Sequence, residues 1–124
     1  GDGSAQMTLQ ELSLFLKYNL NPMILMINNS GYTIERAIVG DTSSYNDLTA
    51  EWDWQKMLEA FGDSNKDKHE TFRVKNYDEF KGYIAGNGTK PLDKLHMVEL
   101  ILDKFDYGNG LLVFLGKKKA DEWI

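Results

Sequence analysis

Residues 23–29 read Met-Ile-Leu-Met-Ile-Asn-Asn, and the fold class turns on whether this run is a strand or a buried helical turn. Five consecutive apolar residues without alternation match an interior strand of a parallel sheet, covered on both faces. Asn21-Pro22 breaks any preceding helix, and Asn28-Asn29-Ser30-Gly31 supplies turn chemistry at the other end. A buried helical turn is the alternative, and the shortness of the run favours the strand, since strands span roughly four to eight residues.

Working upstream, Leu9, Leu12, Phe15 or Leu16, and Leu20 recur at helical spacing, with Thr8-Leu9-Gln10-Glu11 reading as a capping box. A helix is predicted from Thr8 to Asn19, its apolar stripe widened by Leu14. Downstream, helices are predicted over Thr33 to Val39, Asp53 to Phe61 and Asp78 to Ala85, and strands over Thr71 to Val74 and Leu95 to Leu102. Gly40 to Trp52 and Gly86 to Lys94 read as loops, and Gly62 to Glu70 as an exposed polar connection. Beyond Asp103 the pattern is not legible. Alternating helices and strands without an internal repeat indicate α/β architecture, a mostly parallel sheet with helices on both faces.

The bulk numbers exclude several classes. A chain of 124 residues with 42% apolar content is long enough for about one domain with a core. A net charge of -5 opposes a nucleic-acid surface, which requires a concentrated basic face. The basic run Lys117, Lys118, Lys119 reads as a solvated tail. No cysteine is present, which removes disulfides, thiolate catalysis and cysteine metal sites. No apolar run reaches the roughly 18 residues of a membrane span, and the first residues do not show the n-region and h-region of a targeting signal. A soluble, cytoplasmic protein without nucleic-acid or membrane partners is the expectation.

The chain opens on Gly1-Asp2-Gly3-Ser4, which reads as a turn between a strand and a helix. A helix from Thr8 to Asn19 climbs about 18 Å at 1.5 Å per residue, and a strand from Met23 to Asn28 returns about 20 Å at 3.3 Å per residue. If Gly1 and Asp2 end a strand of the same sheet, Asp2 and the Asn pair both lie at its carboxyl edge, where open α/β sheets bind ligands. Gly3 and Ser4 would offer backbone N–H groups there to an anion such as a diphosphate. A carboxylate and an amide oxygen are hard donors of the kind Mg²⁺ takes beside phosphate. Successive strand residues point to opposite faces, so one Asn of the pair should face the cation. Taken singly, Gly-Asp-Gly is an ordinary turn and Asn-Asn an ordinary loop.

Together these residues carry a resemblance. Gly1-Asp2-Gly3 followed by Asn28-Asn29 is similar to the GDG…NN signature of thiamine-diphosphate-dependent enzymes. The stretches GDGSAQMTLQELS, NNSGYTIERAI, YNDL and WDW resemble the carboxyl-terminal region of the pyruvate decarboxylases, especially those of fungal type. The likeness is dense over residues 1–62, weaker but collinear through HETFRVKNYDEF and HMVELILDKFD, and poor after Tyr107. It implies that residues 1–124 are the C-terminal part of a diphosphate-binding domain, with the upstream domains absent. It further implies that Asp2, the Asn29 side chain and the Gly31 carbonyl hold Mg²⁺, while Gly3 and Ser4 contact the diphosphate. Tyr32 and Ile34 fall in the cofactor pocket, and Glu35 matches the active-site glutamate near the reacting carbon.

The implied reaction is non-oxidative decarboxylation of a 2-oxo acid, pyruvate to acetaldehyde and CO₂ first among the choices. The electron pair left by departing CO₂ needs an acceptor, which the thiazolium of thiamine diphosphate supplies. A Glu in a dehydrated pocket would have its pKa raised, letting Glu35 act as an acid near neutral pH. The plainer reading of Glu35 is a first-turn residue favoured by the helix dipole. Other readings are an indolepyruvate or phenylpyruvate decarboxylase, a carboligase of the acetolactate synthase type, and an inactive remnant or small binding module. Val39 stands where the family often has His and Ser30 where Asp is frequent, which bears on substrate preference. The full-length family member is expected to be a homodimer or homotetramer with its active site at the subunit interface. The 124-residue chain alone is expected to lack turnover and to associate through its open sheet edge.

The remaining candidates are weaker. His69 is predicted in a charged loop and His96 at the head of a buried strand, and neither matches a catalytic His. Asp63, Asn65 and Asp67 mimic the first ligands of a calcium loop, but Lys68 replaces the required Gly and Val74 the bidentate Glu. Trp52, Trp54 and Phe61 read as core or subunit-contact aromatics. Trp123 has no assignment.

Overall fold

The computed structural model describes residues 1–47, 50–106 and 108–118; Trp123 and Lys119 lie outside them. The elements run α1 (Asp2–Thr8), a 3₁₀ turn (Leu9–Glu11), α2 (Leu12–Lys17), β1 (Met23–Asn28), α3 (Thr33–Val39), a 3₁₀ turn (Ser44–Asn46), α4 (Met57–Ala60), β2 (His69–Val74), α5 (Tyr77–Asn87), β3 (Leu95–Ile101) and α6 (Asn109–Phe114). The three strands form one parallel sheet in the order β1-β3-β2. Met23 pairs with His96 and His69 with Leu95. The α/β class expected from the Met23–Ile27 run is therefore observed. Among the described residues, no helix is long and apolar enough to cross a membrane.

The strand period of two sorts the sheet into two faces. One carries Met26, Leu95 and Met97, packed with Leu9, Leu16, Trp54 and Leu58 from α1, α2 and α4 and their connections. Leu58 is wholly buried, and a side chain of that size contributes about 1.5–3 kcal/mol by leaving water. The other face carries Val74 and Val98 beneath Tyr83, with Phe72, Phe80, Ile84 and Leu100 packed against them, so α5 covers it. Trp52 and Phe61 flank the first core, as their reading as core aromatics requires.

Several boundaries differ from expectation. The chain is helical from Asp2, with Gly1 as N-cap and its carbonyl accepting from Ala5 N–H at 2.9 Å. Thr8 makes no side-chain cap. Its backbone, at φ -144°, interrupts the helix instead, and the Ser13 hydroxyl binds the Gln10 carbonyl at 2.7 Å in the tightened turn that follows. The helix predicted from Asp53 is confined to Met57–Ala60, because Asp53 accepts from Gln55 N–H at 3.1 Å and holds residues 53–56 as turns. β1 is not covered on both faces: Ile24 and Met26 point into the first core, while Leu25 and Ile27 remain 44% and 39% exposed. The strand with the continuous buried run is β3, which lies between the other two. Lys117 and Lys118 bind the Ala37 carbonyl and Asn109, and so are not a free tail.

Candidate functional site

At the carboxyl edge of β1, two turns distant in sequence meet. Asp2 is fully buried. Its Oδ1 accepts from Gly3 N–H at 2.9 Å and its Oδ2 from Gly31 N–H at 3.1 Å. The Asn29 amide lies with one terminal atom 3.0 Å from Asp2 Oδ1 and 3.1 Å from the Gly31 carbonyl oxygen, and the other 2.7 Å from Thr33 Oγ1. With nitrogen turned inward, the amide donates to Asp2 and Gly31 and accepts from Thr33, so this orientation satisfies its neighbours within the protein. With oxygen turned inward, that oxygen faces only acceptors and the nitrogen lies 2.7 Å from Thr33 Oγ1, whose proton goes to the Lys104 carbonyl at 3.2 Å.

In the second orientation the Asn29 oxygen stands 3.0 Å from Asp2 Oδ1 and 3.1 Å from the Gly31 carbonyl oxygen, an arrangement that a cation reconciles. Adjacent ligands of an octahedral ion with bonds of 2.0–2.1 Å stand about 2.9 Å apart. A carboxylate, an amide and a main-chain carbonyl therefore fit a small hard cation completed by phosphate and water. Among the described residues, no group of three His, Cys, Asp or Glu is placed to hold a metal, so a site here takes this mixed donor set.

The turn that presents Gly31 is tightly specified. Ser30 and Gly31 have φ of 58° and 128°, and a Cβ on Gly31 would stand 2.2 Å from the Asn46 carbonyl oxygen. That same oxygen accepts from Tyr32 N–H at 2.9 Å. Arg36, fully buried on α3, donates from Nη2 to the Ser30 carbonyl at 2.7 Å and to Asp47 Oδ1 at 2.6 Å. Among the described residues, its buried Nε and Nη1 have no hydrogen-bond partner. The turn at residues 28–31 and the loop ending at Asp47 are thus braced together.

The other expected site residues gather beside this turn. The Tyr32 hydroxyl donates to the Gly3 carbonyl at 3.1 Å, and its ring lies where a Cβ on Gly3 would be, 2.7 Å from the nearest ring carbon. Gly3 is buried with its N–H given to Asp2, so it does not offer the exposed donor expected of it. Ser4 is exposed in the first turn of α1, where a helix leaves N–H groups without intrahelical partners. Ile34 is 53% exposed. Glu35 is half-buried and lines a cleft of about 730 Å³ with Gln6, Met7, Tyr32, Tyr45 and Asp47. The described walls leave Glu35 in contact with solvent, so the dehydrated pocket expected around it is not formed by them.

Both histidines are built into the packing. His69 opens β2 rather than lying in a charged loop. It is fully buried, with Nδ1 2.6 Å from Asp63 Oδ2. Asp63 is itself buried and accepts from the N–H groups of Asp67 and Lys68 at 3.1 and 2.9 Å, so this end of the Gly62–Glu70 segment is not solvated. Burial pushes the Asp63 carboxyl up, but hydrogen bonds from His69, Lys68 and Asp67 and the His69 charge outweigh it and leave the pKa lowered. His96 Nδ1 lies 2.8 Å from the Tyr83 hydroxyl, whose pKa is raised by burial and by the nearby Glu70. Near the carboxyl end of the sheet, buried Glu99 accepts from Asn28, Gln55 and Arg73 at 2.7–2.8 Å. Its hydrogen bond and charge raise the Arg73 pKa.

Sequence reasoning did not find Arg36, Thr33, Asp47 or Glu99. A signal existed for two of them. Arg36 interrupts the apolar Ile34, Ala37, Ile38 face of a short helix, and Glu99 stands alone within the otherwise uncharged run Met97 to Leu102.

The family described as "Thiamine pyrophosphate enzyme, C-terminal TPP binding domain" matches residues 1–86. Among curated proteins, an alpha-keto-acid decarboxylase of Mycobacterium ulcerans is 40% identical over 106 residues, covering 86% of this chain and 18% of that protein. Proteins of the same name from Mycolicibacterium paratuberculosis and Mycobacterium tuberculosis are 39% and 38% identical over equal spans. The chain thus spans about 18% of the length of these relatives. Since the family match covers β1, β2 and both turns that meet at Asp2, this chain belongs to the thiamine pyrophosphate enzymes, within their C-terminal cofactor-binding domain.

Proposed function

We propose that this chain supplies the diphosphate and Mg²⁺ half of the active site in a thiamine-diphosphate-dependent 2-oxo-acid decarboxylase, with pyruvate as first substrate and acetaldehyde and CO₂ as products. The observation that carries the reading is the placement of one terminal atom of the Asn29 amide 3.0 Å from Asp2 Oδ1 and 3.1 Å from the Gly31 carbonyl oxygen. The shared name of the Mycobacterium relatives, alpha-keto-acid decarboxylase, supports the reaction class.

In this reading Asp2, Asn29 and the Gly31 carbonyl hold the cation, and Gly3 and Ser4 lie against the diphosphate. When bound, thiamine diphosphate supplies the electron sink for the pair released with CO₂. Tyr32 and Ile34 border the cofactor, and Tyr32 fixes the Gly3 turn through its hydroxyl. Glu35 stands on the cleft wall, where it exchanges a proton with the reacting group. The other walls come from further domains of the full-length protein, a homodimer or homotetramer whose subunits close the site.

The test is CO₂ release from pyruvate, indolepyruvate and phenylpyruvate by the full-length protein with thiamine diphosphate and Mg²⁺. Product analysis separates acetaldehyde from acetolactate. Glu35→Gln is expected to lower kcat about 10²–10⁴-fold while leaving cofactor affinity unchanged. Absence of CO₂ release from all three acids, with cofactor bound, would defeat the proposal.

A further inference from the structure

The two asparagines that end β1 send their side chains apart. Asn29 reaches Asp2 and Gly31, while the Asn28 Nδ2 donates to Glu99 Oε1 at 2.7 Å. Glu99 is 2% exposed and sits on β3, opposite Met26 of β1 and Arg73 of β2. Its second oxygen accepts from Gln55 Nε2 and Arg73 Nε, each at 2.8 Å. Gln55 in turn donates to the Phe72 carbonyl at 3.2 Å. One carboxylate therefore ties the end of β1 to β2 and to the turn before α4.

Stability alone does not account for a carboxyl group at this position. Met97, two residues earlier on the same face, belongs to the apolar core, and a well-packed apolar side chain commonly serves a buried position as well as or better than an ion pair. What the carboxylate supplies is direction: both oxygens are committed, so the Asn28 amide has one place to go. The Asn28 Oδ1 then accepts from Ser30 N–H at 3.4 Å, and Arg36 holds the Ser30 carbonyl at 2.7 Å. Asn29 lies between these two fixed points, in a turn whose next residues have positive φ.

We infer that Glu99, braced by Arg73 and Gln55, is a positioning residue that acts through Asn28 to present the Asn29 amide and the Gly31 carbonyl to the cation. The inference rests on the proposed Mg²⁺ reading of Asp2, Asn29 and Gly31. Neither Glu99 nor Asn28 touches the cation. Loss of their bond frees the strand end and spreads the donor set. Outer partners that orient ligands typically alter metal affinity 10–100-fold when removed.

The experiment uses the full-length protein with thiamine diphosphate and Mn²⁺ as the spectroscopic probe, bound ion being read by electron paramagnetic resonance. Failure of the parent protein to bind Mn²⁺ with the cofactor would overturn the cation reading itself, apart from this inference. Given parent binding, Asn28→Ala leaves Glu99 paired with Arg73 and Gln55. It is expected to weaken Mn²⁺ at least about 10-fold, with broadened resonances and a melting temperature near the parent's. Glu99→Gln is expected to weaken it comparably. Because both act through one bond, the double variant should be no weaker than the weaker single variant. Mn²⁺ affinity within twofold of the parent in Asn28→Ala, or losses that multiply in the double variant, would overturn the inference.

Discussion

Replacing Gly31 by Ala separates two costs that usually arrive together. At φ 128° an L side chain strains the backbone, by about 1–2 kcal/mol. The new Cβ would also stand 2.2 Å from the Asn46 carbonyl oxygen, about 1.2 Å inside the 3.4 Å at which ordinary contact begins. Moving that oxygen away breaks its bond from Tyr32 N–H, worth about 1 kcal/mol. The expected destabilisation is therefore about 2–3 kcal/mol. Relaxation must also carry the Gly31 carbonyl away from Asn29 or the Gly31 N–H away from Asp2. Gly40 is the internal control: its φ is 123°, yet a Cβ there meets nothing within 4 Å among the described residues. Gly40→Ala should cost only the backbone part, about 1–2 kcal/mol. Urea denaturation gives the two stabilities, and calorimetric titration of Mg²⁺ with thiamine diphosphate gives the two affinities. Gly31→Ala should lose both stability and cation affinity, and Gly40→Ala stability alone. Equal stability losses with unaltered affinity in both variants would refute the reasoning.

Two further outcomes follow from the packing. Leu58→Ala, at a wholly buried position in the core beneath α4, should cost about 2–5 kcal/mol, read as a fall in the urea midpoint. Asp63 has a lowered pKa in the folded protein, so its contribution is complete above the ordinary value of 3.8 and is lost as pH falls through the lower folded value. The stability gap between parent and Asp63→Asn should be wide at pH 6 and should shrink below about pH 3.8; a gap independent of pH from 6 down to 2 would contradict this.

Elements whose determinants are local were legible in the sequence. The Met23–Ile27 run, Thr33–Val39 and Leu95–Ile101 were assigned within a residue or so, because apolar periodicity and turn residues specify them. The meeting of Asp2 with the Asn pair was also legible, from the matched rise of a helix and return of a strand, while the choice of Asn29 came from the family resemblance. Features set by distant partners were not legible. Thr8 looks like a cap, but the preceding residues were already helical, so no helix start was left for it to cap. His69 and Asp63 looked solvated because their neighbours are charged. Their burial follows from pairing across six residues and from β2 lying against β3. That β1 is an edge while β3 is central depends on strand order, which no local pattern encodes.

That order has a consequence for how the sheet comes into being. Among the described residues, β1 and β2 do not pair with each other; each is hydrogen-bonded to β3, which follows both in sequence. During synthesis, therefore, the β1–β3 and β2–β3 pairings form only after residues 95–101 have left the ribosome, and the first of them spans Met23 to His96. Parallel pairings of such span are slow to nucleate. Until they form, Met26 lacks the cover that β3 and the first core give it, and such transiently exposed apolar surface and strand edges are what makes a nascent chain prone to aggregate.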